Sequence, residues 1–440
     1  MKILLISTYE LGRQPFGLAS PAAWLEGHEV ICADLSIEKL SPDTVRGARL
    51  VAFYLPMHTA TRLAGPVLRK VKELNPAAHV CCFGLYAPLN AEWLRKQGAE
   101  TILGGEFEGG LLSLVHRLEG GSGGPQTEPL VSLERLDFRA PDRSGMPGLE
   151  RYARLRINGS SKVAGYTEAS RGCKHRCRHC PVVPVYDGRF RVVRHEVVLE
   201  DIRRQVRVGA EHISFGDPDF WNGPTHAQRI VEALHRKFPR LTYDATIKIE
   251  HLRNHRELLP VLKETGCLFV TSAVESVDDE VLRKLDKGHT RADFIATVED
   301  FREAGLTIAP TFIPFTPWTT RESYRDLLKV LLDMDLVENV SPIQLALRLL
   351  IPAGSLMLEL GDVQSVVTGY DDEALLHRWA HADPEVDRMA AAAMRIAAET
   401  APRRELFRRF RSLVEDVPLR ENFDLIPRSA IPYMDEPWYC

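Results

Sequence analysis

"SRGCKHRCRHC", residues 170–180, sets three cysteines at a C-x3-C-x2-C spacing directly after the strand-like run "KVAGYTEAS" (162–170). A loop leaving a strand end lets Cys173, Cys177 and Cys180 converge on one centre without helical constraint. A structural zinc takes four protein ligands, with His175 or His179 as the fourth here, whereas an iron-sulphur cluster on three thiolates keeps one iron open to a small molecule. No second C-x2-C lies nearby to complete a zinc ribbon, which favours the cluster. The other cysteines are Cys32, Cys81, Cys82, Cys267 and Cys440, and in a reducing compartment the dense group reads as metal-binding rather than disulfide-bonded.

Outward from this loop, apolar runs alternate with helical ones. The strand candidates are "KVAGYTEAS", "HISFGDPDF" (212–220), "LTYDATIKI" (241–249), "CLFVTSAVES" (267–276), "LTIAPTFIPF" (306–315) and "SPIQLALRLL" (341–350), with segments such as "AQRIVEALHRKF" (227–238) between them. Six βα repeats predict a parallel sheet curved toward a (β/α)6 barrel over 159–358, with functional groups at the C-terminal strand ends. Residues 1–120 show the same alternation, from "KILLIS" (2–7) to "ETILGG" (100–105), and read as a Rossmann-like doubly wound α/β domain. "EGGSGGPQTEP" (119–129) has spacer composition and opens a linker expected over 121–158. Residues 359–440 read as a helical region and tail, in which the basic run "RRELFRRFRS" (403–412) is a solvated helix face.

The chain has 440 residues, 45% hydrophobic and 26% charged, with 56 basic against 60 acidic residues and a formal charge of -4. That balance argues against nucleic acid as a partner. The start "MKILLISTYELG" lacks a cleavable signal pattern, and no run approaches the roughly 18 apolar residues that span a bilayer. The expectation is a cytoplasmic enzyme with no membrane association.

The C-x3-C-x2-C after the first strand of a six-fold βα repeat resembles the radical S-adenosylmethionine (SAM) enzymes, in which three cysteines hold a 4Fe-4S cluster whose open iron chelates the cofactor's amino and carboxylate groups. His179 stands where the family usually has an aromatic residue. "FGDPDFWN" (215–222) is similar to a strand-2 "DDnF"-like segment, and "VESVDDEVLRKLDKGHT" (274–290) to an "ESgsdevLkxmnKgxt" segment. The resemblance implies Asp217 and Asp219 near the cofactor's amino group, and Glu275 with Ser276 on its ribose. Lys248, in "TIKIEHL" (246–252), would face its carboxylate. The first domain resembles the cobalamin-binding domains that precede many radical enzymes, through "VCCFGLYAPLNAEWLRKQGAETILGGEFEGG" (80–110), with Gly84, Gly104, Gly105 and Glu106 carrying the likeness. The D-x-H-x-x-G motif is absent from residues 1–120, and His58 in "PMHTATR" lacks the glycine partner. Such a domain either binds cobalamin without that ligand or keeps only the shape.

The whole chain also resembles the radical enzymes named for a CUAEP or CCAEP tail, in which the cysteine equivalent to Cys440 precedes cysteine or selenocysteine and Ala-Glu-Pro. The resemblance makes Cys440 a candidate substrate-holding or catalytic thiol. The leading functional reading is reductive cleavage of SAM to start radical chemistry on an unidentified small molecule or peptide, with flavodoxin or ferredoxin as electron donor. A second reading transfers a 3-amino-3-carboxypropyl group to a soft acceptor such as trivalent arsenic. A third is a cobalamin- or metal-binding sensor without turnover.

Overall fold

The computed structural model of the chain describes residues 1–120, 127–415 and 430–435. Its first sheet contains β1 (Lys2–Ser7), β2 (Glu29–Asp34), β3 (Leu50–Tyr54), β4 (His79–Phe83), β5 (Thr101–Gly105) and the short β6 (Val131–Ser132), all parallel in the order β2-β1-β3-β4-β5-β6. The helices are α1 (Phe16–Trp24), α2 (Pro42–Gly47), α3 (His58–Leu74), α4 (Ala91–Lys96) and α5 (Phe107–Leu118). Strand period 2 sends Ile3 and Leu5 into a cluster with Leu18, Leu111 and Val115 of α1 and α5, and Leu4 and Ile6 into one with Val45, Leu68 and Leu94 of α2, α3 and α4. Burial on both faces explains why these strands read as continuous apolar runs. The order reverses at β1/β3, where doubly wound sheets open a crevice at their C-terminal ends.

The second sheet is built on β7 (Arg154–Ile157), β8 (Ser160–Thr167), β11 (His212–Phe215), β12 (Thr242–Thr246), β13 (Cys267–Glu275) and β14 (Thr307–Phe312); β9 (Ser170–Gly172) and β10 (Phe190–Val192) form an antiparallel ribbon beside it. β8, β11, β12, β13 and β14 run parallel as a curled half-barrel. β7 lies antiparallel on β8. Beyond it, β17 (Tyr433–Met434) adds an edge strand, and β15 (Val367–Asp371) pairs with β16 (Leu376–Trp379) as a separate hairpin. The helices here are α6 (Val183–Tyr186), α7 (His195–Arg207), α8 (Pro224–Lys237), α9 (Ile249–Asn254), α10 (Leu259–Glu264), α11 (Asp279–Leu285), α12 (Arg291–Glu303) and α13 (Arg321–Asp333). After them come α14 (Gly361–Gln364), α15 (Pro384–Ala397) and α16 (Arg403–Ser412).

The sixth repeat contributes less than its apolar run suggests. "SPIQLALRLL" opens with a 3₁₀ turn over Pro342–Leu345 and touches the preceding strand's extension through one parallel bridge, Phe315 to Arg348. Pro342 brings no N–H to a ladder, and the Gln344 side chain instead accepts from Phe312 N at 3.0 Å.

Residues 127–158 are packed rather than slack. β6 extends the first sheet, Phe138 and Leu149 are buried in the barrel core, and Arg143 ties Gln14 of the first domain (2.8 Å) to Asp201 of α7 (2.9 Å). The basic run of α16 buries Leu406, Phe407 and Phe410; Arg408 and Arg409 are exposed as expected of a solvated face, whereas Arg403 and Arg404 are half-buried and bond Glu338. No helix among the described residues is long and apolar enough to cross a membrane.

Candidate active site

The cysteine loop leaves the ribbon at Gly172, whose φ of +72° and contact with Tyr186 exclude a side chain. Asn222 then fixes it on both sides: its Oδ1 accepts from Lys174 N (3.1 Å) and its Nδ2 donates to Gly172 O (3.2 Å). Arg178 N donates to Leu285 O at the end of α11 (3.0 Å), and Cys180 N to Cys177 O (3.0 Å). Cys173, Cys177 and Cys180 are free thiols. Cys173 and Cys180 pack against Val182, Val185 and Tyr186, the same apolar cluster that Leu85 and Leu89 of the first domain cover, so the loop has an apolar rim. Burial pushes the Cys173 thiol up to about 11 and Cys180 to about 12, so loading a cluster releases protons. A donor set of three free thiols on one pinned, apolar-rimmed loop fits a cluster with an open iron.

Across the barrel mouth, β13 ends in a bulge that puts Glu275 at φ +68° and swings its carboxylate inward. Burial would raise its pKa. Lys287 and His179 outweigh that and hold it at about 2. His179 Nε2 lies 3.1 Å and Lys287 Nζ 3.4 Å from the same oxygen, Oε1, so Oε2 carries neither contact. An ionised, half-free carboxylate suits ribose hydroxyls. Sequence reasoning missed Lys287, although it stands in the quoted 274–290 segment. It also missed His289, which is buried with neither ring nitrogen bonded and held down to about 4 by burial and by Lys287 and Lys248.

The other residues brought in by resemblance are partly committed elsewhere. Asp217 accepts from Ala169 N (2.9 Å) and Ser170 Oγ (2.5 Å), so both its oxygens hold the corner between β8 and β9. Ser276 Oγ accepts from Asp278 N (3.0 Å) in the turn before α11. Lys248 is buried at the barrel mouth with its Nζ 2.8 Å from Glu250 Oε2. Asp219 lies 2.7 Å from His251 Nδ1, and His251 Nε2 lies 3.1 Å from His175 Nε2. Cys440 lies outside the described residues.

Between the first sheet's strand ends and the barrel mouth lies a crevice of about 250 Å³, lined by Glu10, Arg13, Tyr54, Tyr166, Glu168 and Arg171 among others. Arg171 clamps its two walls together, with Glu108 at 2.7 and 2.8 Å, Glu168 at 2.8 Å and Glu106 at 3.4 Å. Burial pushes Glu106 and Glu168 up to about 7.

The glycine loop of the first domain is partly committed to the sheet. Gly104 N donates to Leu130 O and Glu106 N to Ser132 O, each at 2.8 Å, so β6 pairs along the open edge of β5. A side chain at Gly105 would collide with Ser132 O. Gly84, at φ +110°, lies against Leu55 O, and Glu106 is drawn to Arg171. His58 Nε2 faces Ala374 O at 2.7 Å.

Residues 167–331 match the model of the Radical SAM superfamily. The chain is 25% identical over 358 residues to the hopanoid C-3 methylase of Methylococcus capsulatus, an alignment spanning 77% of this chain and 68% of that one. It is 26% identical over 189 residues to the ribosomal protein uS12 methylthiotransferase RimO of Porphyromonas gingivalis, spanning 38% and 41%. Among solved structures, the methyltransferase TsrM from Kitasatospora setae, with cobalamin and a [4Fe-4S] cluster bound, gives a TM-score of 0.62 at 18% identity over 76% of this chain and 73% of that one. The cobalamin-dependent radical enzyme OxsB, with aqua-cobalamin and SAM bound, gives 0.70 at 13% over 93% and 70%. Those two likenesses establish the fold. Together the domain match and the methyltransferase and methylthiotransferase relatives make the chain a radical SAM enzyme, with a 4Fe-4S cluster and SAM as its cofactors.

Proposed function

We propose that this radical SAM enzyme cleaves SAM reductively and starts radical chemistry on a small molecule seated in the crevice between its two domains. The observation that carries the reading is the placement of the pinned cysteine loop and Glu275 at one barrel mouth, with the crevice reaching the loop through Gly172, Val182 and Tyr186. When bound, the cluster and SAM supply one-electron cleavage of a carbon-sulphur bond and a 5'-deoxyadenosyl radical that abstracts hydrogen.

The chain's own residues bind, orient and shield. Cys173, Cys177 and Cys180 hold the cluster. Glu275 Oε2 accepts from the ribose hydroxyls while His179 and Lys287 keep the carboxylate ionised, and Lys248 faces the cofactor's carboxylate. Leu85, Leu89 and Tyr186 keep water from the loop. A cavity of about 250 Å³ suits a small metabolite better than a peptide. Lys174 and Arg176 are exposed on the outer side of the loop, where an acidic electron donor such as flavodoxin would approach.

Product analysis after anaerobic reduction with SAM tests the reading. 5'-Deoxyadenosine supports it. Methylthioadenosine would instead support transfer of a 3-amino-3-carboxypropyl group, and S-adenosylhomocysteine would support methyl transfer, the reaction for which the hopanoid methylase and TsrM are named. No SAM-derived product would leave a binding protein without turnover.

A further inference from the structure

We propose that His175, Asp219 and His251 form a second, mononuclear site for a divalent transition-metal cation beside the cluster loop. The three side chains come from three separate elements: the cysteine loop, the turn after β11 and the start of α9. One ligand atom from each lies within 4.8 Å of the others. His175 Nε2 is 3.1 Å from His251 Nε2 and 3.7 Å from Asp219 Oδ2. Around one cation with bonds of roughly 2.1 Å, tetrahedral ligands stand about 3.4 Å apart, and the two separations straddle that value.

The alternative without a cation leaves a cost. An imidazole pair at 3.1 Å can share a proton, but Asp219 Oδ2 then remains buried with no hydrogen-bond donor, although Asp219 is only 2% exposed. Nor does its 2.7 Å approach to His251 Nδ1 repair this, because both atoms lack a hydrogen-bond partner of acceptable geometry. A buried carboxylate oxygen without a donor calls for an ion or water to satisfy it. Two imidazoles and one carboxylate are the ligand types that zinc and ferrous iron take at sites with open positions.

Charged and polar groups surround the trio. Glu250 Oε2 lies 3.4 Å from His175 Nδ1, and Asp219 Oδ1 accepts from Trp221 N at 3.1 Å, which holds the carboxylate in place. The spacing H-x-C, with His175 two residues from Cys173 and two from Cys177, hides this pattern in the sequence, since any histidine there is first counted with the cluster.

The test uses anaerobically reconstituted holoenzyme, passed over chelating resin, incubated with Zn2+ and freed of excess by gel filtration. Metal analysis should find about four irons and about one zinc per chain. His251→Ala and the isosteric Asp219→Asn should each keep the iron and its visible absorption while zinc affinity, read by competition with a chromophoric chelator, falls at least ten-fold. X-ray absorption at the zinc edge should show nitrogen and oxygen neighbours at roughly 2.0–2.1 Å. Sulphur neighbours at roughly 2.3 Å would mean zinc scavenged by the cysteines and would overturn the proposal. So would a wild-type protein that takes up less than a tenth of an equivalent, or variants that bind zinc as tightly as wild type.

Discussion

Arg171→Met tests whether the two domains are held by the charge clamp at the crevice. Arg171 is 7% exposed, and its guanidinium faces three carboxylates: Glu108 by two bonds at 2.7 and 2.8 Å, Glu168 by one at 2.8 Å, and Glu106 at 3.4 Å. Removing the cation bonded to this trio leaves buried charge uncompensated, which costs about 3–5 kcal/mol, far more than an exposed pair. At a slope of about 3 kcal/mol per molar urea, the unfolding midpoint of the variant falls by about 1–1.7 M. Arg171→Lys keeps the charge without the fork and should lose part of that. Adding Glu108→Leu to Arg171→Met should recover more than half of the loss, because the damage is stranded charge rather than a missing contact. Arg171 stands two residues before Cys173, so the same variant should also lose its cluster absorption faster in air. A midpoint within about 0.3 M of wild type, or no recovery in the double variant, refutes the clamp.

Replacing Cys173, Cys177 and Cys180 together by alanine should abolish iron binding and colour, and a variant that keeps both removes the cluster from this loop. Glu275→Ala should weaken SAM binding by about ten-fold or more in calorimetry while iron stays at wild-type content, since lost charge-assisted hydrogen bonds are worth roughly 1.5–3 kcal/mol. Glu106 and Glu168, raised to about 7 in the fold from an ordinary value near 4.5, favour the folded state when protonated, so their contribution is complete below about 4.5 and is lost as pH rises through about 7. Thermal stability should therefore decline between pH 5 and 8, and Glu168→Gln should flatten that decline. Protein purified with cobalamin and reduced to the cob(II)alamin state should show no hyperfine splitting from a protein histidine nitrogen, because residues 1–120 hold no D-x-H-x-x-G motif and His58 faces Ala374 O.

Much of this was legible because the fold repeats a simple pattern. Apolar-rich runs marked all five parallel strands of the first domain that precede the spacer and all five of the half-barrel, since strands buried on both faces are mostly apolar even where, as in β12, Thr242, Asp244 and Thr246 interrupt the run. The cysteines were legible because three thiols in eleven residues have few other uses. What stayed hidden depended on side chains meeting across the fold. Gln344 capturing Phe312 N, which displaces a sixth full strand, cannot be read from "SPIQLALRLL". The packing of 127–158 was masked by the glycines just before it. Asp217 and Asp219, two residues apart, part company because one faces the β8–β9 corner and the other faces His251, a division set by the backbone of the turn and invisible to spacing.

The first domain also has a structural part in the site. Its β4 strand ends in a loop that lays Leu85 and Leu89 on the cysteine rim, and α5 supplies Glu108 to the arginine that precedes that rim. A thiolate-bound cluster and an alkyl radical both require exclusion of bulk water, and a half-barrel leaves its mouth open on the side where full closure would have supplied strands. The doubly wound domain lies against that side with apolar surface and a buried ion network, and part of its glycine loop pairs with β6. Cutting the two domains apart should therefore cost the cysteine loop its apolar cover, read as faster bleaching in air, as well as the crevice its far wall.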